Sequence, residues 1–116
     1  MVKLNGKKKL NVCIFISGRG TNLKSIIDFS KEKESPIKID LVITNNKNAK
    51  GINFAKKNNI KYIYINYKNV DKAEDKIIII LKKHNIDFIC LAGFMKILSN
   101  KIINIYKNKI LNIHPS

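Results

Sequence analysis

The chain has no tryptophan, two cysteines, two prolines and a single arginine in 116 residues. It also lacks any apolar run of about 18 residues, the length a membrane-spanning helix needs. The start, Met1 to Lys9, is basic, but the apolar stretch Leu10 to Ser17 is too short for a secretory signal and no small-residue cleavage pattern follows it. A cytoplasmic location is therefore expected. Cys13 and Cys90 each sit inside an apolar run, so both are read as buried, reduced thiols rather than as a disulfide or a metal pair. No metal is expected. Acidic residues are scarce as well, eight against 23 basic ones, which leaves a net charge of +15.

That charge raises a nucleic-acid reading, and its chemistry argues against one. Arg19 is the only arginine, and the lysines are scattered with asparagine and isoleucine over nearly every element. Base readers and phosphate clamps lean on the arginine fork. The lysines are read as solvated surface that sticks to polyanions at low salt without specificity. The same charge favours the approach of anionic, phosphorylated metabolites.

The length suits one domain, 1–116, and the 45% hydrophobic content suits a globular core. Leu10 to Ser17 is almost continuously apolar, as for a strand buried on both faces. Gly18 to Asn22 breaks it, and Leu23, Ile26 and Ile27 then follow at helical spacing to about Lys33. A second strand is expected over Ile37 to Thr44, a short helix over Gly51 to Asn59 and a third strand over Ile60 to Ile65. Val70 to His84 reads as a longer helix with Ala73, Ile77, Ile80 and Leu81 on its inner stripe. Ile77 to Ile80 would suit a strand too, but the charged flanks favour helix. His84 is taken as surface at its end. Ile86 to Ala92 is a fourth strand, Ser99 an N-cap for a helix through Tyr106, and Ile110 to Ile113 a fifth strand. Alternation with short connections means βαβ units: an α/β fold, a parallel sheet of about five strands with helices on both faces. Ligands in such sheets bind at the carboxyl ends of the strands.

Three segments belong to that edge. Ser17-Gly18-Arg19-Gly20-Thr21-Asn22 joins a buried strand to a helix start. It is read either as an anion cradle of glycine-freed amides at a helix N-terminus or as a plain turn with Thr21 as cap. It matches neither the dinucleotide fingerprint nor the Walker loop, so a monophosphate fits it better than a dinucleotide. Gly93 to Ser99 is unusually apolar for a loop, and either packs under another element or lines a pocket for a flat, greasy ligand. In Leu111-Asn112-Ile113-His114-Pro115-Ser116, strand alternation puts Asn112 and His114 on one face. That unites an amide donor with the side chain that titrates near neutral pH, which is equipment for acyl chemistry. A lone His-Pro after a strand is more often a surface turn; the amide two residues upstream favours function.

Taken together, the strings Ile16 to Leu23, Leu91 to Ser99 and Leu111 to Ser116 resemble the phosphoribosylglycinamide formyltransferase family of folate-dependent enzymes. The resemblance runs over essentially the whole chain, in order, with Val42 to Asn45 also in place. It implies a Rossmann-like formyltransferase fold and transfer of a formyl group from 10-formyltetrahydrofolate to the amine of glycinamide ribonucleotide in purine synthesis. Gly20, Thr21 and Asn22 would bind the ribosyl phosphate. Met95, Lys96, Ile97 and Leu98 would line the pterin pocket, with Lys96 where many members carry arginine. Asn112 would touch both the folate and the transferred carbonyl, and His114 would be the catalytic acid. The implied partners are these two small molecules, without metal, specific nucleic acid or membrane; the oligomeric state is open.

Members of that family continue beyond the position of Ser116, with an aspartate that tunes the histidine and further strands. The chain is therefore expected to be the amino-terminal part of a formyltransferase domain and to be inactive or nearly so alone. The alternatives are a non-catalytic, phosphate-binding remnant, a basic nucleic-acid-binding domain, or a related formyltransferase or deformylase. Deformylases typically carry histidine where Pro115 stands.

Overall fold

The computed structural model describes residues 9–113. Its elements alternate strand and helix: β1 (Leu10–Ile16), α1 (Thr21–Ser30), β2 (Ile37–Thr44), α2 (Ile52–Lys57), β3 (Tyr62–Tyr64), α3 (Val70–Lys83), β4 (Phe88–Ala92), α4 (Asn100–Ile105) and β5 (Ile110–Ile113). All five strands run parallel in the order β3-β2-β1-β4-β5. The most continuously apolar segment, β1, takes the centre, where both faces need covering, and is buried from Val12 to Ile16.

The connections explain the two layers. Two crossovers carry the chain from β1 out to β3, then α3 returns it across β1 to build β4 and β5 on the other side. Helices α1 and α2 therefore lie on one face and α3 and α4 on the other. Ile14, Ile16, Leu23, Ile27, Val42 and Ala55 belong to the first core. Phe15, Ile43, Ile77, Leu81, Ile89 and Ile102 belong to the second. Phe15 is fully buried, and such burial contributes about 2 kcal/mol. Cys13 and Cys90 are free and buried in opposite cores, so they cannot reach one another.

One irregularity adjusts the phase of β2. Val12 pairs with Ile39 and Cys13 with Leu41, which leaves Asp40 as an extra, bulged residue. Ile39 and Val42, three apart, thereby share a core. The Asp40 carboxylate lies 3.4 Å from Nδ1 of His84 at the end of α3. His84 is thus not free surface: its side chain is 18% exposed and faces an acid.

Strands β3 and β4 begin two residues later than the apolar runs suggest, for one reason. Asn59 and Asn85 adopt left-handed conformations (φ 54° and 52°) just past the caps of α2 and α3. Ile60 N–H then donates to the Ala55 carbonyl at 2.9 Å, and Ile86 N–H to that of Leu81 at 3.0 Å. These are six-to-one closures of a helix end, so Ile60 and Ile86 seal helices before the strands start. In a chain with five glycines, asparagine takes the position glycine usually fills.

Candidate functional site

In an all-parallel sheet every carboxyl end lies on one rim, and the strand order reverses between β1 and β4. A cleft of about 380 Å³ opens there, lined by Gly18 to Asn22 and by Ala92 and Gly93. The expected phosphate segment and the end of β4 therefore meet at the topological switch point. Gly20, Thr21 and Asn22 all line this cleft. So does Arg19, which belongs to the same expected segment but carried no assigned role of its own.

The cradle depends on close backbone contact. Gly20 has φ 78°, and a Cβ there would stand 2.5 Å from the Gly51 Cα. Gly51 N–H donates to the Gly18 carbonyl at 2.9 Å, which ties the turn to the start of α2. The N-cap of α1 is Gly20 and not Thr21, which is already the first helical residue. No side chain caps α1, and its first turn carries no acid. The first amides of a ten-residue helix therefore face the cleft with their partial positive charge uncompensated, which favours an anion.

The apolar loop after β4 divides its side chains. Phe94 turns inward, edge-on to Phe15 at 5.2 Å and to Tyr67 at 5.8 Å between ring centroids. Leu98 is buried, whereas Met95 is 78% and Ile97 90% exposed. Lys96 Nζ lies 6.0 Å from the Tyr67 ring centroid. Met95 to Leu98 are not part of the cleft lining, so the loop neighbours the cradle and extends the rim outward. Burial, and secondarily the charge of Glu74, push the Tyr67 phenol up to about 12. Its hydroxyl has no hydrogen-bond partner among the described residues.

Two residues hold these loops together, and the sequence reading assigned neither a role. Ser17 accepts a hydrogen bond from Met95 N–H at 2.8 Å and donates its own to Asn45 Oδ1. Asn46 Nδ2 also donates to the Ser17 carbonyl at 3.1 Å. One serine at the end of β1 thus joins the loops after β2 and β4. Glu74 on α3 is 1% exposed and accepts from both the amide and the hydroxyl of Ser99. Its sequence signal was present: position 74 lies three residues before Ile77 and seven before Leu81, on the inner stripe.

Asn112 sits opposite Leu91 in the β4–β5 ladder, at the same rim, with its side chain exposed. Its neighbours Leu111 and Ile113 line an apolar groove on the α1 face, so Asn112 points to the other side. His114 lies outside the described residues, as do Pro115 and Ser116. No helix among the described residues is long and apolar enough to cross a membrane. Nor does any group of three or more His, Cys, Asp or Glu among them come together in a way that could hold a metal ion.

Comparison with known proteins gives consistent findings. The family model described as formyl transferase matches residues 10–116. The chain is 42% identical over 113 residues to human trifunctional purine biosynthetic protein adenosine-3, covering 95% of this chain and 11% of that protein. It is 41% identical over 108 residues to phosphoribosylglycinamide formyltransferase of Haemophilus influenzae, covering 90% and 51%. The crystal structure of phosphoribosylglycinamide formyltransferase from Brucella melitensis superposes with a TM-score of 0.90 at 35% identity, over 94% of this chain and 58% of that one. The chain thus spans about half the length of its single-function relatives.

Proposed function

From the premise that the chain belongs to the formyl transferase family, we propose that it carries the substrate-binding rim of a glycinamide ribonucleotide formyltransferase. The reaction is formyl transfer from 10-formyltetrahydrofolate in purine biosynthesis. The observation that carries the reading is the uncapped start of α1 opening into a cleft beside the end of β4. A phosphate monoester fits there: amides of Gly20, Thr21 and Asn22 donate to its oxygens, and Arg19 adds a cation at the same wall. The naming of the Haemophilus and Brucella relatives supports the substrate. The folate lies against the loop Met95, Lys96, Ile97 and Leu98, where the exposed apolar side chains of Met95 and Ile97 suit a flat ring system. Reduced, buried thiols agree with a cytoplasmic protein.

The chemistry follows from the roles that the family resemblance gives Asn112 and His114. The glycinamide amine attacks the formyl carbon on N10 of the folate and forms a C–N bond and a tetrahedral oxyanion. Asn112 donates its amide N–H to that oxyanion, and protonated His114 donates beside it. The C–N10 bond then breaks, N10 gains a proton by way of His114, and the new amide loses one. Removing one such donor costs on the order of 3 kcal/mol, or about a hundredfold in rate. The chain needs no covalent intermediate for this.

The test separates binding from turnover. The chain should bind glycinamide ribonucleotide and 10-formyltetrahydrofolate as isolated ligands. Supplied with the part of the Haemophilus relative that lies beyond the matched region, it should formylate the ribonucleotide. His114→Ala should abolish that activity, and Asn112→Ala should lower it about a hundredfold. Failure to bind the ribonucleotide would overturn the reading.

A further inference from the structure

The loop Gly93 to Ser99 is pinned at both ends while its apolar middle faces water. At the near end, Met95 N–H is held by the Ser17 hydroxyl at 2.8 Å and the Phe94 ring is wedged against Phe15 and Tyr67. At the far end, Ser99 N–H donates to Glu74 Oε2 at 2.8 Å, and the Ser99 hydroxyl donates to Oε1. Between the pins, Met95 and Ile97 are 78% and 90% exposed. Side chains of that kind gain by collapsing onto the protein, so a loop that keeps them outward has to be constrained. The far pin is the unusual one. Glu74 is 1% exposed, and among the described residues no lysine or arginine forms an ion pair with it. Burying a carboxylate without a cation is unfavourable unless hydrogen bonds satisfy it. Both of its oxygens accept from one residue, and that residue is where the loop ends and α4 begins.

We infer that Glu74 is a positioning residue for the formyl-donor loop: from α3, in the same layer as α4, it fixes Ser99, so that Met95 to Leu98 meet the pterin in one conformation. This rests on the proposed function. A preorganised loop has already lost the disorder that ligand binding would otherwise remove, which raises affinity without any direct contact from Glu74. The cradle at Gly20 does not touch this pin, so the effect is confined to one ligand.

Three variants test it in the whole chain, with 10-formyltetrahydrofolate and glycinamide ribonucleotide titrated separately and Tm recorded for each variant. Glutamine at position 74 can accept from Ser99 N–H and donate to its hydroxyl, so Glu74→Gln rebuilds both contacts, whereas Glu74→Ala rebuilds neither. Glu74→Ala should weaken the formyl donor about tenfold and the ribonucleotide less than about twofold, with Glu74→Gln within about threefold of the parent. Ser99→Ala removes the hydroxyl contact and the α4 cap but keeps the Ser99 N–H bond to Glu74, so it perturbs the fold less than Glu74→Ala; it should weaken the donor about threefold and spare the ribonucleotide. Equal losses for both ligands, or no loss for the donor in Ser99→Ala and Glu74→Ala, would overturn the positioning role alone. A parent chain that binds the ribonucleotide but not the donor would overturn the folate reading and this inference with it.

Discussion

The backbone of Gly20 rests on that of Gly51, so closely that a methyl group at position 20 would stand 2.5 Å from the Gly51 Cα. The contact joins the starts of α1 and α2 and sets the wall of the cleft at once. At Gly18, in the same turn, an added Cβ meets nothing within 4 Å.

The two glycines should therefore respond in opposite ways. Gly20→Ala adds a clash to a left-handed backbone and should lower stability by roughly 2 kcal/mol or more, with loss of ribonucleotide binding. Gly18→Ala should change stability by less than about 0.5 kcal/mol. Urea midpoints and a ribonucleotide titration on both variants check the contrast. Gly93 falls between them: its φ of 76° strains any side chain, though the space around it is open, so Gly93→Ala should cost about 1 kcal/mol.

The asparagines that close helices give a second contrast. Asn85 holds φ 52° while Ile86 N–H seals α3. Asn85→Gly should raise stability by a few tenths of a kcal/mol to about 1, because glycine adopts that conformation without strain. Asn85→Val should lower it by about 1–2 kcal/mol, since a β-branched residue suits that region least. Thermal melts of the two variants and the parent decide it.

Alkaline pH should unfold the chain through its buried acids. Burial raises the Cys90 thiol from 9.0 to about 11. Burial and the Glu74 charge raise the Tyr67 phenol from 10.0 to about 12. Both groups keep their protons longer folded than unfolded. Their contribution is complete below the unfolded values and is lost as pH rises through the folded ones. Stability should be level to about pH 9 and then fall towards pH 12, by at most about 1.4 kcal/mol per pH unit for each group. Denaturant melts at pH 8, 10 and 11 measure the slope. At pH 8 neither thiol should react with a thiol reagent until the chain is unfolded.

Much of this structure was legible from residue pattern alone. Ile37 to Thr44 and Ile110 to Ile113 form strands over the expected spans because apolar, largely β-branched residues recur through both between turn signals. The inner stripe of α3 was readable at Ala73, Ile77 and Leu81, whereas Ile80 is only half-buried and Glu74 replaces it as a core-facing residue. A carboxylate on an apolar stripe is read as surface unless its partner is known, and that partner, Ser99, lies 25 residues away. The bulge at Asp40, and with it the half-buried His84, left no local mark either, since pairing register is set between strands. The cleft was legible because the rim of a parallel sheet follows from strand order. The Ser17 bridge between the loops after β2 and β4 was not, because it depends on where those loops come to rest.

Glycinamide ribonucleotide titrated into the isotope-labelled chain, with backbone amide shifts followed residue by residue, examines the phosphate cradle itself. Shifts concentrated at Gly18 to Asn22 and Gly93, absent when the dephosphorylated riboside replaces the ribonucleotide, are the result expected. Shifts spread over the lysine-rich surface, or equal responses to the two compounds, would contradict it.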